Sequence, residues 1–228
     1  MDKIRRLSFS NDNLDDILEG GIEYGIITQI YGRGGVGKTN ICLVLARNMI
    51  LQENRRVIYI DTEGLSRERI AQIFKDHEDA LDKLIIFSCH SLEEQKKHIS
   101  DAFRIVDNSK DVGLVVVDGI SIFLRTLEGN SWEEGWKDIR SQTMELMTMA
   151  RIFDIPVIIT NQVYTRKMPD GNVVNEPLGG VTIDYISKTI LEINAMLDHS
   201  RTMEIVKHRS IKEGKKAKFL ITDYGIDM

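Results

Sequence analysis

The sequence predicts an α/β fold: a mostly parallel, doubly wound sheet with helices on both faces and an antiparallel edge late in the chain. Three observations carry that expectation. Apolar runs rich in β-branched residues recur at residues 26–31, 57–60, 84–87, 114–117 and 157–160, and such runs form central parallel strands buried on both faces. Helix-period segments lie between them at residues 39–51, 93–107 and 136–153, each long enough for a right-handed crossover. From Lys188 onward the rhythm shifts to short strands at 190–193, 203–206 and 218–221, separated by turn-sized polar stretches. That is the pattern of an antiparallel meander. Ligands on such sheets bind at the carboxyl ends of the strands.

A chain of 228 residues suits one large α/β domain, and no repeat, low-complexity stretch or Pro/Gly/Ser linker divides it. A single domain over residues 1–228 is therefore expected. The net charge of -5 excludes a uniformly basic nucleic-acid coat, though not a local basic patch. Cys42 and Cys89 fit no metal or redox spacing, so they are expected as buried free thiols in a reducing compartment. The five histidines show no ligand spacing either. No apolar run approaches the ~20 residues of a membrane span, and the first residues lack a signal-peptide apolar core. A cytoplasmic protein without a membrane partner is expected.

The first central run, residues 26–31, leads directly into Gly32-Arg33-Gly34-Gly35-Val36-Gly37-Lys38-Thr39. This is G-x-x-x-x-G-K-T between a strand and a helix, the context a phosphate-binding loop requires. Its glycines let successive N–H groups curl inward toward phosphate oxygens at the positive end of the next helix. Lys38 is placed to bridge the β- and γ-phosphates, and the Thr39 hydroxyl to ligate Mg²⁺. The next run, 57–60, ends in Asp61-Thr62-Glu63-Gly64. Glu63, just past the tip, can orient and deprotonate a water near the γ-phosphate. Asp61 has the further option of hydrogen-bonding the phosphate loop.

The run 114–117 ends in Asp118, a carboxylate able to hold magnesium through water. The run 157–160 ends in Asn161-Gln162, a neutral tip that can feel the γ-phosphate and pass that contact onward. The adjoining segment, residues 164–178, contains Arg166, Lys167, Pro169, Gly171 and Pro177. It is expected as a long functional loop. Trp132 and Trp136 stand four apart, as a packing pair on a helix would. Met144, Met147 and Met149 are expected on a helix core face.

In order and spacing these segments resemble the RecA/RadA recombinase superfamily of P-loop ATPases, and within it the short archaeal branch that consists of the ATPase core alone. The resemblance begins at Leu14-Asp15-Asp16-Ile17-Leu18-Glu19-Gly20-Gly21-Ile22-Glu23. It continues through the phosphate loop, Tyr59-Ile60-Asp61-Thr62-Glu63-Gly64, Glu68-Arg69, Val115-Val116-Val117-Asp118, Thr160-Asn161-Gln162-Val163 and Leu178-Gly179-Gly180. It implies a RecA-like P-loop ATPase core with ATP and Mg²⁺ as ligands. It makes Glu63 the water-activating carboxylate, Gln162 the γ-phosphate sensor and Arg69 the residue packing on adenine. Gly32, Arg33, Gly34, Gly35, Val36, Gly37, Lys38, Thr39, Asn40 and Asp118 complete the nucleotide site, with Thr39 and Asp118 at the metal.

The same resemblance implies two DNA-facing loops, residues 124–132 with Arg125 and residues 164–178 with Arg166 and Lys167. The core starts within about fifteen residues of Met1, so no helix-hairpin-helix domain is expected ahead of it. The first DNA loop carries Glu128, with Glu133 and Glu134 just beyond. These departures weaken the case for a self-assembling strand-exchange filament. The resemblance to the short branch implies an accessory factor that binds DNA, single-stranded DNA favoured, hydrolyses ATP weakly and assists a RadA-type recombinase. A homodimer is a further expectation.

Between Arg201 and Lys218 stand seven basic residues and two acids, a local charge of +5 on an acidic chain. Such asymmetry suggests a phosphate-binding face that includes Lys207, Arg209, Lys215 and Lys216. The plain alternative is a solvated lysine-rich hairpin. Lys207-His208-Arg209 also resembles a basic strand-end motif that KaiC-type relatives point at a neighbouring subunit's γ-phosphate. That keeps open a KaiC-like signalling ATPase acting on protein partners.

Overall fold

The computed structural model describes residues 4–127, 129–167, 173–177 and 180–227. A short pair, β1 (Arg6–Leu7) and β2 (Ile22–Glu23), flanks α1 (Asp12–Ile17) at the entrance. The elements then run β3 (Ile27–Gly32), α2 (Lys38–Glu53), β4 (Arg56–Asp61), α3 (Arg67–Ile73), β5 (Leu84–Ser88), α4 (Leu92–Ser109) and β6 (Val112–Asp118). The second half of the chain forms α5 (Asn130–Phe153), β7 (Val157–Lys167), β8 (Val173–Pro177), α6 (Gly180–Ile186), β9 (Thr189–Ala195), β10 (Arg201–His208), β11 (Lys216–Thr222) and β12 (Gly225–Asp227).

The main sheet has the order β12-β11-β10-β9-β3-β7-β6-β4-β5, with β8 paired to β7 outside that path. Strands β9 through β5 in this order are mutually parallel, whereas β10, β11 and β12 continue the sheet antiparallel. The expected architecture is thus present. Strand β9 is the pivot, parallel to β3 on one side and antiparallel to β10 on the other.

Alternation along the strands builds two cores. Ile30, Val57, Tyr59, Leu114, Val116 and Ile158 face α1, α2 and α3. Ile27, Ile58, Ile60, Val115, Val117 and Ile159 face α4, α5 and α6. Each such side chain contributes roughly 1.5–3 kcal/mol on burial. Helix α2 is buried on almost every side, because the antiparallel edge folds over it and packs β12 against it. That leaves the phosphate loop at its start braced from several directions.

Four expectations need correction. Of the methionines expected on a helix core face, Met149 is buried and Met147 packs against the core, whereas Met144 is exposed. The run 84–87 reads as a central strand, yet β5 is the free edge of the parallel half and Ile86 is exposed. An edge strand loses cover on one side, and a four-residue apolar run does not record which strands flank it. Residues 164–178 are not one loop. Val163–Lys167 pairs antiparallel with Val173–Pro177, so β7 runs on past the sheet into a hairpin. Its tip, 168–172, and Leu178-Gly179 lie outside the described residues. Helix α5 also starts six residues before the expected Trp136, with Trp132 stacked edge-on against Trp136 at 5.4 Å.

Candidate nucleotide site

The parallel strands end together at one edge of the sheet. Register pairs Asp61 with Asp118 and Gly32 with Gln162, so the tips of four strands lie around one crevice. The loop after β3 is exposed at Arg33, Gly34 and Gly35 and buried at Gly32 and Val36. A Cβ at Gly34 or Gly35 would meet nothing within 4 Å, so the crest opens outward. Gly37 is different. Its φ of +105° is left-handed, and a Cβ there would stand 2.2 Å from Ile221 Cδ1 on β11. Only glycine lets the loop turn into α2 at that point.

Lys38 is buried, and its ammonium donates to the carbonyls of Gly32 and Arg33, each at 3.1 Å. Burial lowers its pKa below the usual lysine value, opposed by the nearby carboxylates of Glu63 and Asp118. Asp118 is almost wholly buried and takes hydroxyl donors on both oxygens. Thr39 Oγ1 donates to Oδ2 at 2.8 Å, Tyr59 Oη to Oδ2 at 2.7 Å and Thr160 Oγ1 to Oδ1 at 2.6 Å. Burial, followed by the charge of Asp118, raises the Tyr59 phenol well above its ordinary range and keeps it a donor.

Glu63 is exposed beyond the tip of β4, where Gln162 Nε2 donates to its Oε1 at 3.0 Å. It leans over Gly119, whose φ is +113° and where a Cβ would stand 2.6 Å from Oε1. A side chain there would push the carboxylate off its amide partner. Asp61, by contrast, turns to its own chain, accepting from the N–H groups of Glu63 (3.2 Å), Gly64 (2.8 Å) and Leu65 (2.7 Å). It shapes the turn that presents Glu63 and makes no bond to the phosphate loop.

Arg69 is clamped on four sides. Its guanidinium donates to Asn40 Oδ1, to Gln72 Oε1 at 2.9 Å, and to the carbonyls of Thr222 (2.8 Å) and Asp223 (3.1 Å). The site thus gathers the phosphate loop, Asn40, Glu63, Arg69, Asp118 and Gln162 at one edge. Thr39 and Asp118 supply two oxygen ligands 2.8 Å apart, the small protein share that magnesium takes beside phosphates and water. With the open loop crest and the buried ammonium, these residues fit a magnesium-bound nucleoside triphosphate. Among the described residues there is no group of three or more His, Cys, Asp or Glu able to hold a metal ion. Both cysteines are free and buried, and burial pushes the Cys89 thiol up to about 12.

The basic candidates are scattered. Arg125 is exposed in a one-turn helix, Ile122–Thr126, and its charge helps depress the Lys38 pKa. The side chains of Arg166 and Lys167 lie outside the described residues. Lys207 stands at the opposite, amino end of the sheet, donating to the carbonyls of Asp184 at 2.5 Å and Ser187 at 2.9 Å. Arg209 pairs with buried Glu23 at 2.6 Å, which Arg6 also meets at 3.1 Å. Lys216 pairs with Glu204 and Lys218 with Asp198, while Lys215 is exposed. Lys207, Arg209 and Lys215 thus lie toward the amino end of the sheet, and Arg201 and Lys218 toward its carboxyl end.

Sequence reasoning missed Tyr59, Thr160 and Arg201. The first two left a trace, because a hydroxyl inside an otherwise aliphatic strand must find a partner. Arg201 left none: its Nε donates to Val36 O at 3.1 Å across 165 residues.

The chain is similar to known proteins along almost its whole length. The Rad51 family profile matches residues 2–228. A Thermoplasma acidophilum protein described as DNA repair and recombination protein RadB is 36% identical over 223 residues, covering 98% of this chain and 94% of that protein. Its namesake from Archaeoglobus fulgidus is 40% identical over 216 residues, covering 94% of each. A crystal structure described as the RadB recombinase superposes with a TM-score of 0.81 at 31% identity, covering 97% of this chain and 98% of that one.

Proposed function

The chain belongs to the Rad51 family, and from that premise we propose that it is an ATP- and DNA-binding accessory protein of homologous recombination and DNA repair. In this reading it works in the cytoplasm beside a RadA-type recombinase, favours single-stranded DNA, and has a homodimer as its assembly. Support comes from relatives described as DNA repair and recombination proteins that match along nearly their whole length. The KaiC-like alternative has no counterpart among them. Its motivating residues, Lys207 and Arg209, are held by partners within the chain. Among the described residues no helix is long and apolar enough to cross a membrane.

The observation that carries the proposal is the 3.0 Å hydrogen bond from Gln162 Nε2 to Glu63 Oε1. It joins the carboxylate beside the phosphate loop to the root of the β7–β8 hairpin, the segment expected to face DNA. Within the site, the phosphate-loop N–H groups and Lys38 bind the phosphates, and Asn40 and Arg69 lie toward the base. Asp118 and Thr39 would hold magnesium, which when bound neutralises phosphate charge. Glu63 orients the attacking water and accepts its proton on a carboxylate oxygen. Because Glu63 is already paired with Gln162 and exposed, turnover is slow.

Steady-state ATP turnover with and without saturating single-stranded DNA tests this directly, with Glu63→Gln as the blank. Slow wild-type turnover, on the order of a hundredfold or more above Glu63→Gln, is expected from loss of a general base. Turnover in the variant equal to wild type would remove Glu63 from the role.

A further inference from the structure

The phosphate loop receives a hydrogen bond from β10, two strands away in the same sheet. Arg201, the first residue of β10, donates from Nε to the carbonyl of Val36 at 3.1 Å. Its Nη1 donates to the carbonyls of His199 at 2.8 Å and Ser200 at 3.1 Å, which anchor the guanidinium to the β9–β10 turn. The neighbouring strands β9 and β11 make two more close approaches. Ile193 O lies 2.4 Å from where a Cβ on Gly32 would stand, and Ile221 Cδ1 lies 2.2 Å from the same point on Gly37. Strands β9, β10 and β11 thus hold the phosphate loop at its first glycine, at Val36 and at its last glycine, respectively.

The consequence for binding is geometric. In a trans peptide the C=O and the following N–H point in opposite directions, and the described chain contains no cis bond. A Val36 carbonyl drawn outward to Arg201 therefore turns the Gly37 N–H inward, to the concave side of the loop. Glycine at 37, with φ +105°, has little steric resistance to rotation of that peptide plane. Without an external partner the plane is free to flip and present a carbonyl to the phosphates.

We propose that Arg201 is a positioning residue of the nucleotide site, which locks the Val36–Gly37 peptide so that its N–H faces the phosphates. The inference rests on the ATP reading above and deepens it. It takes Arg201 out of the basic segment expected to meet DNA, and it gives the antiparallel edge a part in nucleotide affinity.

Equilibrium binding of ATP and of adenosine, by competition against a fluorescent ATP analogue, separates the possibilities. Arg201→Met keeps the packing stem and removes every donor. It is expected to weaken ATP binding roughly tenfold, the scale of one charged hydrogen bond, while adenosine, which has no phosphate, binds as to wild type. Arg201→Lys restores a charged donor and is expected to fall between the two. It carries the test alone if the methionine variant does not fold. ATP affinity equal to wild type in the folded variants would overturn the inference, as would an equal loss for ATP and adenosine. A folded wild-type chain that binds no ATP would overturn the ATP reading itself, and the inference with it.

Discussion

Asp118 is a buried carboxylate surrounded by hydroxyls, with Tyr59, Thr160 and Thr39 donating to it. Neutral donors hold its orientation without cancelling its charge, which leaves it able to meet a cation. Tyr59→Phe removes one donor and nothing else of the side chain's shape. It should cost about 1–3 kcal/mol of stability in urea unfolding and raise severalfold the magnesium needed for half-maximal nucleotide binding. An unchanged magnesium requirement would make Tyr59 a packing residue only. Lys38 supplies a pH prediction. Its pKa in the free chain lies below the ordinary 10.5 because burial disfavours the ammonium, whereas bound phosphates favour it. Affinity is linked to that difference: it should hold through neutral pH and fall as pH rises through the lowered free-chain pKa. Binding titrations across alkaline pH check this, and a flat profile up to the ordinary lysine value of 10.5 would contradict it.

At the scale of elements, the β7–β8 hairpin matters most. Strand β7 is 11 residues long, and only its first half lies in the sheet; beyond Gln162 it pairs with β8 alone. In the proposed reading, this two-stranded ribbon rooted at the nucleotide site is the lever toward DNA. Arg166→Ala and Lys167→Ala should each weaken single-stranded DNA binding and flatten its log-log salt dependence by about 0.7. An unchanged slope would move the DNA contact elsewhere. The hairpin was hidden because Pro169, Gly171 and Pro177 read as loop punctuation. In the structure Pro177 ends β8, and the strands between rest on a pairing that no local pattern records. The runs around Val57 and Leu114 were legible because burial on both faces demands unbroken aliphatic residues. The edge position of β5 was not, since strand order is decided by crossovers. The phosphate loop, Glu63, Asp118 and Gln162 were legible as strand tips, while Arg201 lies 165 residues along the chain from the carbonyl it meets, on a strand that no local pattern sets beside the loop.

For the whole molecule, one end of the sheet gathers the candidate nucleotide site and the rest braces it. The parallel half brings four strand tips to one crevice, and the antiparallel half braces the phosphate loop and clamps Arg69 through Thr222 and Asp223. Lys207, Arg209 and buried Glu23 tie down the opposite end. The central claim is that nucleotide and DNA communicate through Glu63 and Gln162, and coupling of two ligands is reciprocal. Its most direct test is single-stranded DNA affinity with and without ATP, in the wild-type chain and in Gln162→Ala. The account predicts that ATP changes wild-type affinity by roughly fivefold or more, and that in Gln162→Ala the two affinities converge while ATP still binds. Wild-type DNA affinity that ignores ATP, or an ATP effect that survives intact in Gln162→Ala, would contradict it.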